Sequence, residues 1–375
     1  MGSSYALEAF GLSAILGGKK VLQIPSLQVY PSEVLIVIGP NGSGKTTLLL
    51  CLAMLLKPAT GTIAYKGMPV LATNHVLQLR RRLAVVFQES LLLNSTVWDN
   101  ITLGLRLRGV KGDEARDRAR KWLERFGVAS LARRQARTLS SGEAKRVSLA
   151  RAFVLQPEVL FLDEPFNALD SPTRQALLED FEGVLKETKI TAVMVTHDRN
   201  EALVLADRVV VVMNGGIRQL GTPAEVFSSP IDEEVAKFVG MENILNGVVQ
   251  SCEAGMVALA VEPHDKVKIE AIADCAAGEA VLLGIRPEDI TLSLAALSSS
   301  ARNSFLGKVV NLISTGPLTR VQIDCGFPMV ALITKRSAAE LDLTSGKQVY
   351  ATFKATALHV FKNIKQEVGY ENKRT

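Results

Sequence analysis

The chain has 375 residues, 47% of them hydrophobic, and 43 basic against 38 acidic side chains give a net charge of +5. Such a length predicts two or three domains with a sizeable buried core, and the mild positive excess, lacking a dense Lys/Arg block, carries no nucleic-acid signature. There is no basic-then-apolar leader, no apolar run near the ~18 residues that cross a bilayer, and no metal-like or C-x-x-C spacing among Cys51, Cys252, Cys275 and Cys325, which read as small buried hydrophobes in a reduced compartment.

Residues 5–30 hold short β-like pieces (Ala6–Phe10, Val21–Ile24, Leu27–Tyr30) around a Gly17-Gly18 turn and predict an antiparallel sheet. VLIVI (34–38) is an unbroken aliphatic run, the pattern of a strand buried on both faces. LLLCLAMLL (48–56) is apolar all round and predicts a buried helix. Between them GPNGSGKTT (39–47) fulfils G-x-x-x-x-G-K-[ST]. Gly39, Gly42 and Gly44 free the backbone to curl, so that its N–H groups converge on a phosphate chain seated at the helix N-terminus. Lys45 adds positive charge for the β- and γ-phosphates, and the Thr46 hydroxyl suits Mg²⁺.

A Pro58/Gly61 break precedes a short strand in TIAYKG (62–67), and LAVVFQES (83–90) predicts a buried strand ending near Gln88. From 91 to about 155 the pattern is helical. Ala115, Ala119, Trp122 and Phe126 fall on one face of a helix that Gly127 closes. Arg116, Arg118, Arg120, Arg133, Arg134 and Arg137 are interleaved with acids and read as solvated. TLSSGEAKRVSLARAF (138–153) opens another helix, where Ser140, Ser141 and Gly142 form either an anion-friendly N-terminus or an ordinary serine cap.

VLFLDEP (159–165) and AVMVTHD (192–198) are further buried strands. They deliver Asp163, Glu164 and His197 to C-terminal ends, where ligands collect in α/β sheets. Hydrolysis of a nucleotide requires a metal, an oriented water and groups that meet developing charge. Asp163 is the candidate to hold Mg²⁺ and Glu164 to take a proton from water. Gln88 suits Mg²⁺ or the water, and His197 the γ-phosphate. RVVVVM (208–213) runs into an Asn214-Gly215 hairpin turn. Thr222, Pro223 and Glu225 predict a capped helix that continues to about Gly240. Beyond Asn243 come two sets of short β pieces, 244–290 and 307–361, separated by a Ser/Ala-rich linker (Leu294–Ala301), a spacing that suggests small barrels. The last dozen residues are polar and expected to fray.

Together GPNGSGKTT, Gln88, LSSGE (139–143), VLFLDEP, ALD (168–170) and His197 resemble ABC-transporter ATPase subunits over about residues 5–240. The resemblance implies a P-loop α/β ATPase domain (1–240) with an antiparallel β subdomain and a helical insert at about 91–155. It implies ATP on Gly39, Pro40, Asn41, Gly42, Ser43, Gly44, Lys45, Thr46 and Thr47, and Mg²⁺ on Thr46, Gln88 and Asp163. Glu164, His197 and Gln88 would act in catalysis. It further implies a homodimer in which Ser140, Ser141, Gly142 and Glu143 complete the ATP site of the other copy and Asp170 carries signals across. The helical insert would dock on transmembrane permease subunits at the cytoplasmic face of the membrane, with an external substrate-binding protein acting indirectly. Three positions depart from the family pattern. Ser141 and Glu143 stand in a signature usually written LSGGQ. Leu16 stands where an aromatic stacks on adenine, which implies either weaker stacking or a substitute among Tyr5, Phe10 and Tyr30. Ser32 replaces a glycine and reads as harmless.

ENILNG (242–247) and GIRPEDI (284–290) resemble the regulatory extension of importer ATPases. SARNSFLGKVV (300–310), ALITKRSAAELDL (331–343) and ATFKAT (351–356) resemble a molybdate-binding barrel module. Residues 241–363 are therefore expected to form an all-β, OB-like regulatory barrel, with 364–375 as a polar tail. A tetrahedral dianion needs several N–H and O–H donors and a nearby cation. The resemblance assigns these to Ser300, Arg302, the backbone at Asn303, Lys354 and Thr356. A barrel that only dimerises would leave Arg302 and Lys354 solvated. The expectation is an importer ATPase for molybdate or tungstate whose barrel senses the internal oxyanion. The alternatives are importers of sulfate, iron, sugar or polyamine, and a soluble ABC ATPase acting on nucleic acid. The last class commonly carries two cassettes or a coiled-coil insert, and neither is visible.

Overall fold

Alternation of apolar residues builds the first sheet. In β1 (Leu7–Leu16) and β2 (Lys19–Val29) the side chains of Leu7, Ala9, Leu12, Leu22, Ile24 and Val29 are buried, and the strands pair antiparallel around Gly17 and Gly18. The structure, a computed structural model, describes residues 5–70, 76–253, 255–261 and 264–362 and divides into two units between Val226 and Phe227.

In the first unit, β3 (Val34–Ile38) is buried throughout and leads into α1 (Lys45–Leu52). Next come β4 (Thr60–Tyr65), β5 (Met68–Pro69), α2 (Val76–Arg80) and β6 (Leu83–Val86). The helical insert comprises α3 (Val97–Leu107), α4 (Gly112–Arg125) and α5 (Ser141–Phe153). Then follow β7 (Val159–Asp163), α6 (Ser171–Thr188), β8 (Thr191–Val195), α7 (Arg199–Leu205), β9 (Arg208–Met213) and β10 (Gly216–Gly221). Two sheets result, one ordered β2-β1-β4-β5 and one β10-β9-β3-β8-β7-β6. In the second, β6, β7, β8, β3 and β9 run parallel, so the segments after β3, β6, β7 and β8 emerge on one edge.

Local chemistry explains the boundaries. An eight-residue helix is unstable alone, so α1 depends on burying Leu48, Leu49, Cys51 and Leu52. It stops at Ala53, short of the expected residue 56, because Met54 takes φ +62. In α4 the expected face of Ala115, Ala119 and Trp122 is buried together with Phe126, and Gly127 follows at φ +69. Arg116 pairs with Asp113 and Arg118 with Glu114 on the exposed side. Asn214 and Gly215 make the hairpin turn at φ +49 and +79. Ser32 sits at φ +62 with its N–H on the Thr191 hydroxyl at 2.9 Å. A left-handed serine costs roughly 1 kcal/mol, so this replacement of glycine carries strain.

Two further expectations are corrected. The helix from Thr222 does not continue to Gly240. It splits into α8 (Pro223–Ser228), which straddles the division, and α9 (Glu233–Phe238), where Asp232 caps the Val235 N–H at 2.9 Å. Pro230 disfavours helical backbone at Ser229, which accounts for the break. Of the cysteines only Cys51 is buried. Cys252 lies exposed near the end of a strand, Cys275 and Cys325 are half-buried, and all four are free thiols.

The second unit continues with β11 (Asn243–Glu253), β12 (Met256–Val261), β13 (His264–Ile272), β14 (Ala280–Ile285), β15 (Thr291–Ser293), β16 (Asn303–Thr315), β17 (Leu318–Asp324), β18 (Pro328–Thr334), α10 (Lys335–Glu340), β19 (Gln348–Phe353) and β20 (His359–Lys362). These strands make two five-stranded antiparallel sheets, β13-β12-β11-β14-β20 and β15-β19-β16-β17-β18. Leu259, Ile269 and Leu283 of one share a single core with Val321, Ile323 and Phe353 of the other. Asn243 ties the two, accepting from the Val330 N–H at 2.6 Å and donating to the Val330 and Ile285 carbonyls at 2.9 and 3.3 Å. The expected frayed tail lies outside the described residues.

Candidate active site

The loop between β3 and α1 is shaped by close backbone approach. A Cβ on Gly39 would lie 2.0 Å from the Val212 carbonyl oxygen, and one on Gly44 (φ +101) 2.7 Å from that of Val21, so neither position admits a side chain. The Ser43 N–H donates to the Pro40 carbonyl (3.2 Å), and the Gly215 N–H donates to the Ser43 carbonyl (3.0 Å). Lys45 folds back over the loop, and its buried Nζ donates to the Gly39 and Pro40 carbonyls, both at 2.9 Å. Burial lowers the Lys45 pKa, and the charges of Glu164 and Asp163 oppose that shift. The Ser43 hydroxyl is buried without a hydrogen-bond partner. Pro40, Asn41, Gly42 and Thr46 are exposed, while Thr47 is half-buried in the first turn of α1.

The ends of the parallel strands surround this loop. Thr46 Oγ1 donates to Asp163 Oδ1 at 3.1 Å. Burial pushes the Asp163 carboxyl up, the Thr46 hydroxyl pulls it down, Glu164 raises it, and Lys45 and Lys145 lower it, for a net upward shift. Glu164 stands at φ +44, with its N–H on the Val195 carbonyl at 2.9 Å. One carboxylate oxygen of Glu164 accepts from Asn167 Nδ2 at 2.8 Å, and the other lies 3.2 Å from His197 Nδ1. Gln88 is exposed, two residues past β6, and its backbone carbonyl accepts from Lys145 Nζ. A hydroxyl beside a carboxylate is a hard-oxygen donor set that fits Mg²⁺ sharing phosphate oxygens.

The LSSGE segment caps its own helix. Ser140 Oγ accepts from the Glu143 N–H at 3.3 Å, and Glu143 Oε2 accepts from the Ser140 N–H at 2.7 Å. That Ser140 N–H holds the Glu143 carboxyl below its ordinary range. Ser141 is exposed at the tip, and Gly142 is buried where a Cβ would meet Thr173 Cγ2 at 2.8 Å. Asp170 caps α6 by accepting from the Thr173 N–H at 3.0 Å, which holds its carboxyl low. The capping alternative for the serine therefore holds within one chain, and the Glu143 carboxylate is committed to it.

The hairpin register separates the adenine candidates. Val21 and Leu22 pack against Gly44, so the Gly17-Gly18 end of the hairpin borders the phosphate loop, and Leu16, opposite Lys19, lies there half exposed. Tyr5 and Tyr30 lie beyond the Leu7–Val29 pair, about 30 Å along the strand from Leu16. There their rings pack 5.2 Å apart, and the Arg208 guanidinium sits 5.1 Å from the Tyr30 ring. Phe10, opposite Ser26, is about 20 Å from Leu16. Of these side chains, only Leu16 stands at the end of the hairpin that borders the phosphate loop.

A family model described as ABC transporter matches residues 22–167, and a TOBE domain model matches residues 299–360. The molybdate/tungstate import ATP-binding protein WtpC of Pyrococcus abyssi is 39% identical over 342 residues, 90% of this chain and 94% of that one. The chain belongs to the ABC transporter ATP-binding family. The sulfate/thiosulfate import ATP-binding protein CysA of Nitrosomonas europaea is 33% identical over 96% of this chain and 98% of its own. Among solved structures, the ATP-binding cassette MJ0796, dimeric and bound to ADP and phosphate after hydrolysis, superposes with a TM-score of 0.54 at 26% identity. That match covers 58% of this chain and 98% of the other.

Within this ABC ATPase several site residues escaped the motifs. Lys145, in α5, is buried and reaches the Phe87 and Gln88 carbonyls. Burial lowers its pKa, against the attraction of Asp163 and Glu164. Asn167 grips Glu164. Thr196, Asp198, Glu201 and Arg174 surround His197. The spacing of Asp198 and Glu201 gives a helix-cap signal, but nothing in the pattern marks Glu201 as buried. In the TOBE region Asn303 is buried, and its side chain both accepts from and donates to the Glu270 backbone (2.8 and 2.9 Å), so its amide serves the fold. Ser300, Arg302, Lys354 and Thr356 are exposed, with Arg302 Nε 4.0 Å from the Glu270 carboxylate.

Burial pushes the Glu201 carboxyl up from 4.5 to about 7, although the Thr196 hydroxyl bond acts the other way. Between those values the folded chain keeps a proton that the unfolded chain gives up. The stability from this group is thus present below 4.5 and lost as pH rises through about 7. Glu201→Gln keeps an acceptor for Thr196 without the charge. It is expected to be more stable than the parent near about pH 8, by on the order of 2–3 kcal/mol, with the gap closing toward pH 4.5. Thermal melting across that range checks it.

Proposed function

We propose that this chain is the ATP-hydrolysing subunit of an importer of molybdate or tungstate. It works as a homodimer held peripherally at the cytoplasmic face of the membrane by transmembrane permease subunits. No helix among the described residues is long and apolar enough to cross a membrane. The observation that carries the nucleotide half is the buried Lys45 over a glycine-shaped loop, next to Thr46 and Asp163. The cargo half rests on likeness along nearly the whole chain to the Pyrococcus abyssi protein, TOBE region included.

In this reading the loop amides and Lys45 bind the phosphates of ATP. The two carbonyls that now hold the Lys45 ammonium spare it the full desolvation penalty until phosphate oxygens replace them. Mg²⁺, when bound, supplies positive charge between the phosphates, and Thr46, Asp163 and Gln88 are the residues that would hold it. Glu164 takes the proton of the attacking water. Asn167 and His197 fix its two oxygens, and its left-handed backbone aims it out of β7. The tip of a second copy supplies the Ser141 and Gly142 N–H groups to the γ-phosphate, while the Ser140 N–H stays on Glu143 and keeps that tip capped. ATP thereby closes the dimer, hydrolysis opens it, and the permease alternates between its two faces. The second unit senses internal oxyanion and restrains hydrolysis.

A carboxamide at position 164 cannot accept the proton. Glu164→Gln is expected to lower turnover by about 100-fold or more while ATP remains bound, with dimers accumulating on size-exclusion chromatography. Near-parent turnover rejects Glu164 as the base. Calorimetry of the full chain is expected to record binding heat for molybdate and tungstate and none for sulfate. Heat from sulfate alone moves the cargo to the sulfate class, and heat from none removes the sensing role.

A further inference from the structure

His197 occupies a short turn between β8 and α7, and its side chain is 54% exposed, so packing alone does not set its direction. Its two neighbours are gripped instead. Thr196 Oγ1 donates to Glu201 Oε2 at 2.5 Å, with both residues buried. Asp198 divides its carboxylate. Oδ1 accepts from the N–H groups of Asn200 (2.8 Å) and Glu201 (3.3 Å) and caps α7, while Oδ2 accepts from Arg174 Nη1 at 3.2 Å. Arg174 projects from the first turns of α6, and its other arm, Nη2, donates to the Leu169 carbonyl at 3.3 Å, inside the ALD segment. Its Nε is buried without a partner. Arg174, Glu164, Asn167, His197 and Glu201 wall a cavity of about 10 Å³, room for one water at most and too small for a ligand.

We propose that Arg174 is a positioning residue that joins the ALD segment to the His197 turn, so that displacement of one re-aims the imidazole against Glu164. The inference rests on the ATPase reading above and extends it. The guanidinium is a rigid fork that joins the Leu169 carbonyl to the Asp198 carboxylate, beyond the point where the pairing of β7 with β8 ends at Asp163 and Val195. Ala168, at φ +61, places a strained residue at the start of the segment it grips.

The test uses the full chain. Arg174→Met removes both arms. Asp198→Asn keeps an oxygen to cap α7 and presents an amide to the guanidinium, so it breaks the same link from the other end if the first variant does not fold. Each is expected to lower kcat on the order of 10- to 100-fold, with KM and nucleotide affinity within about threefold of the parent. The double variant is expected to be no slower than either single one. In a His197→Ala background Arg174→Met is expected to cost nothing further, whereas general loss of structure would slow both backgrounds alike. The His197 imidazole resonance, assigned by its disappearance in His197→Ala, is expected to move in both variants. An unchanged kcat, an equal loss in both backgrounds, or an unmoved resonance overturns the inference. If the parent itself fails to hydrolyse ATP, the ATPase reading falls, and the resonance still decides whether Arg174 positions His197.

Discussion

A buried ammonium organises the first unit. Lys45 lies out of water among two backbone carbonyls, with Asp163 and Glu164 close enough to oppose the loss of its charge. Placing a cation there costs several kcal/mol unless polar partners converge on it. Convergence requires a strand that ends abruptly, a loop without side chains at Gly39 and Gly44, and neighbouring parallel strands that end on the same edge. The aliphatic runs of β3, β7 and β8 exist to be buried on both faces, and that burial brings Thr46, Asp163, Glu164 and His197 to one place.

The same logic leaves the pocket open. Two helix N-termini within one chain suit anions: α1, beneath the glycine loop, and α5, capped by Ser140 and Glu143. In the proposed dimer each serves a different nucleotide. The capping box closes the α5 tip on itself and leaves Ser141 exposed. Lys145, one turn into that helix, reaches back to the Gln88 carbonyl. The tip of α5 is thereby tied to the segment that follows β6.

Motifs whose chemistry is local were legible. The glycine loop, the buried strands, the Asn214-Gly215 turn and the Thr222 cap each follow from a few adjacent residues. What was not legible depends on distant partners or on subtle breaks. The stop at Met54 interrupts a run that remains apolar through the break, whereas the split before α9 carries a local signal of its own in Ser228-Ser229-Pro230. Cys252 still pairs with Val257 of β12 but lies past the last β14 pair, Val248 with Ala280, a boundary that no local pattern marks. The distance of Tyr5 and Tyr30 from the Gly17-Gly18 end appears only from hairpin register, which their apolar neighbourhood does not encode. Arg174, Lys145 and Glu201 read as ordinary helix-surface charges until the fold places each against the catalytic edge.

The central claim is that one chain holds only half of each hydrolytic pocket. Turnover per chain, measured across a protein dilution series with sedimentation run on the same samples, tests it most directly. The account predicts that specific activity falls toward zero as the population becomes single chains. Full activity per chain in samples that sediment as monomers would contradict it.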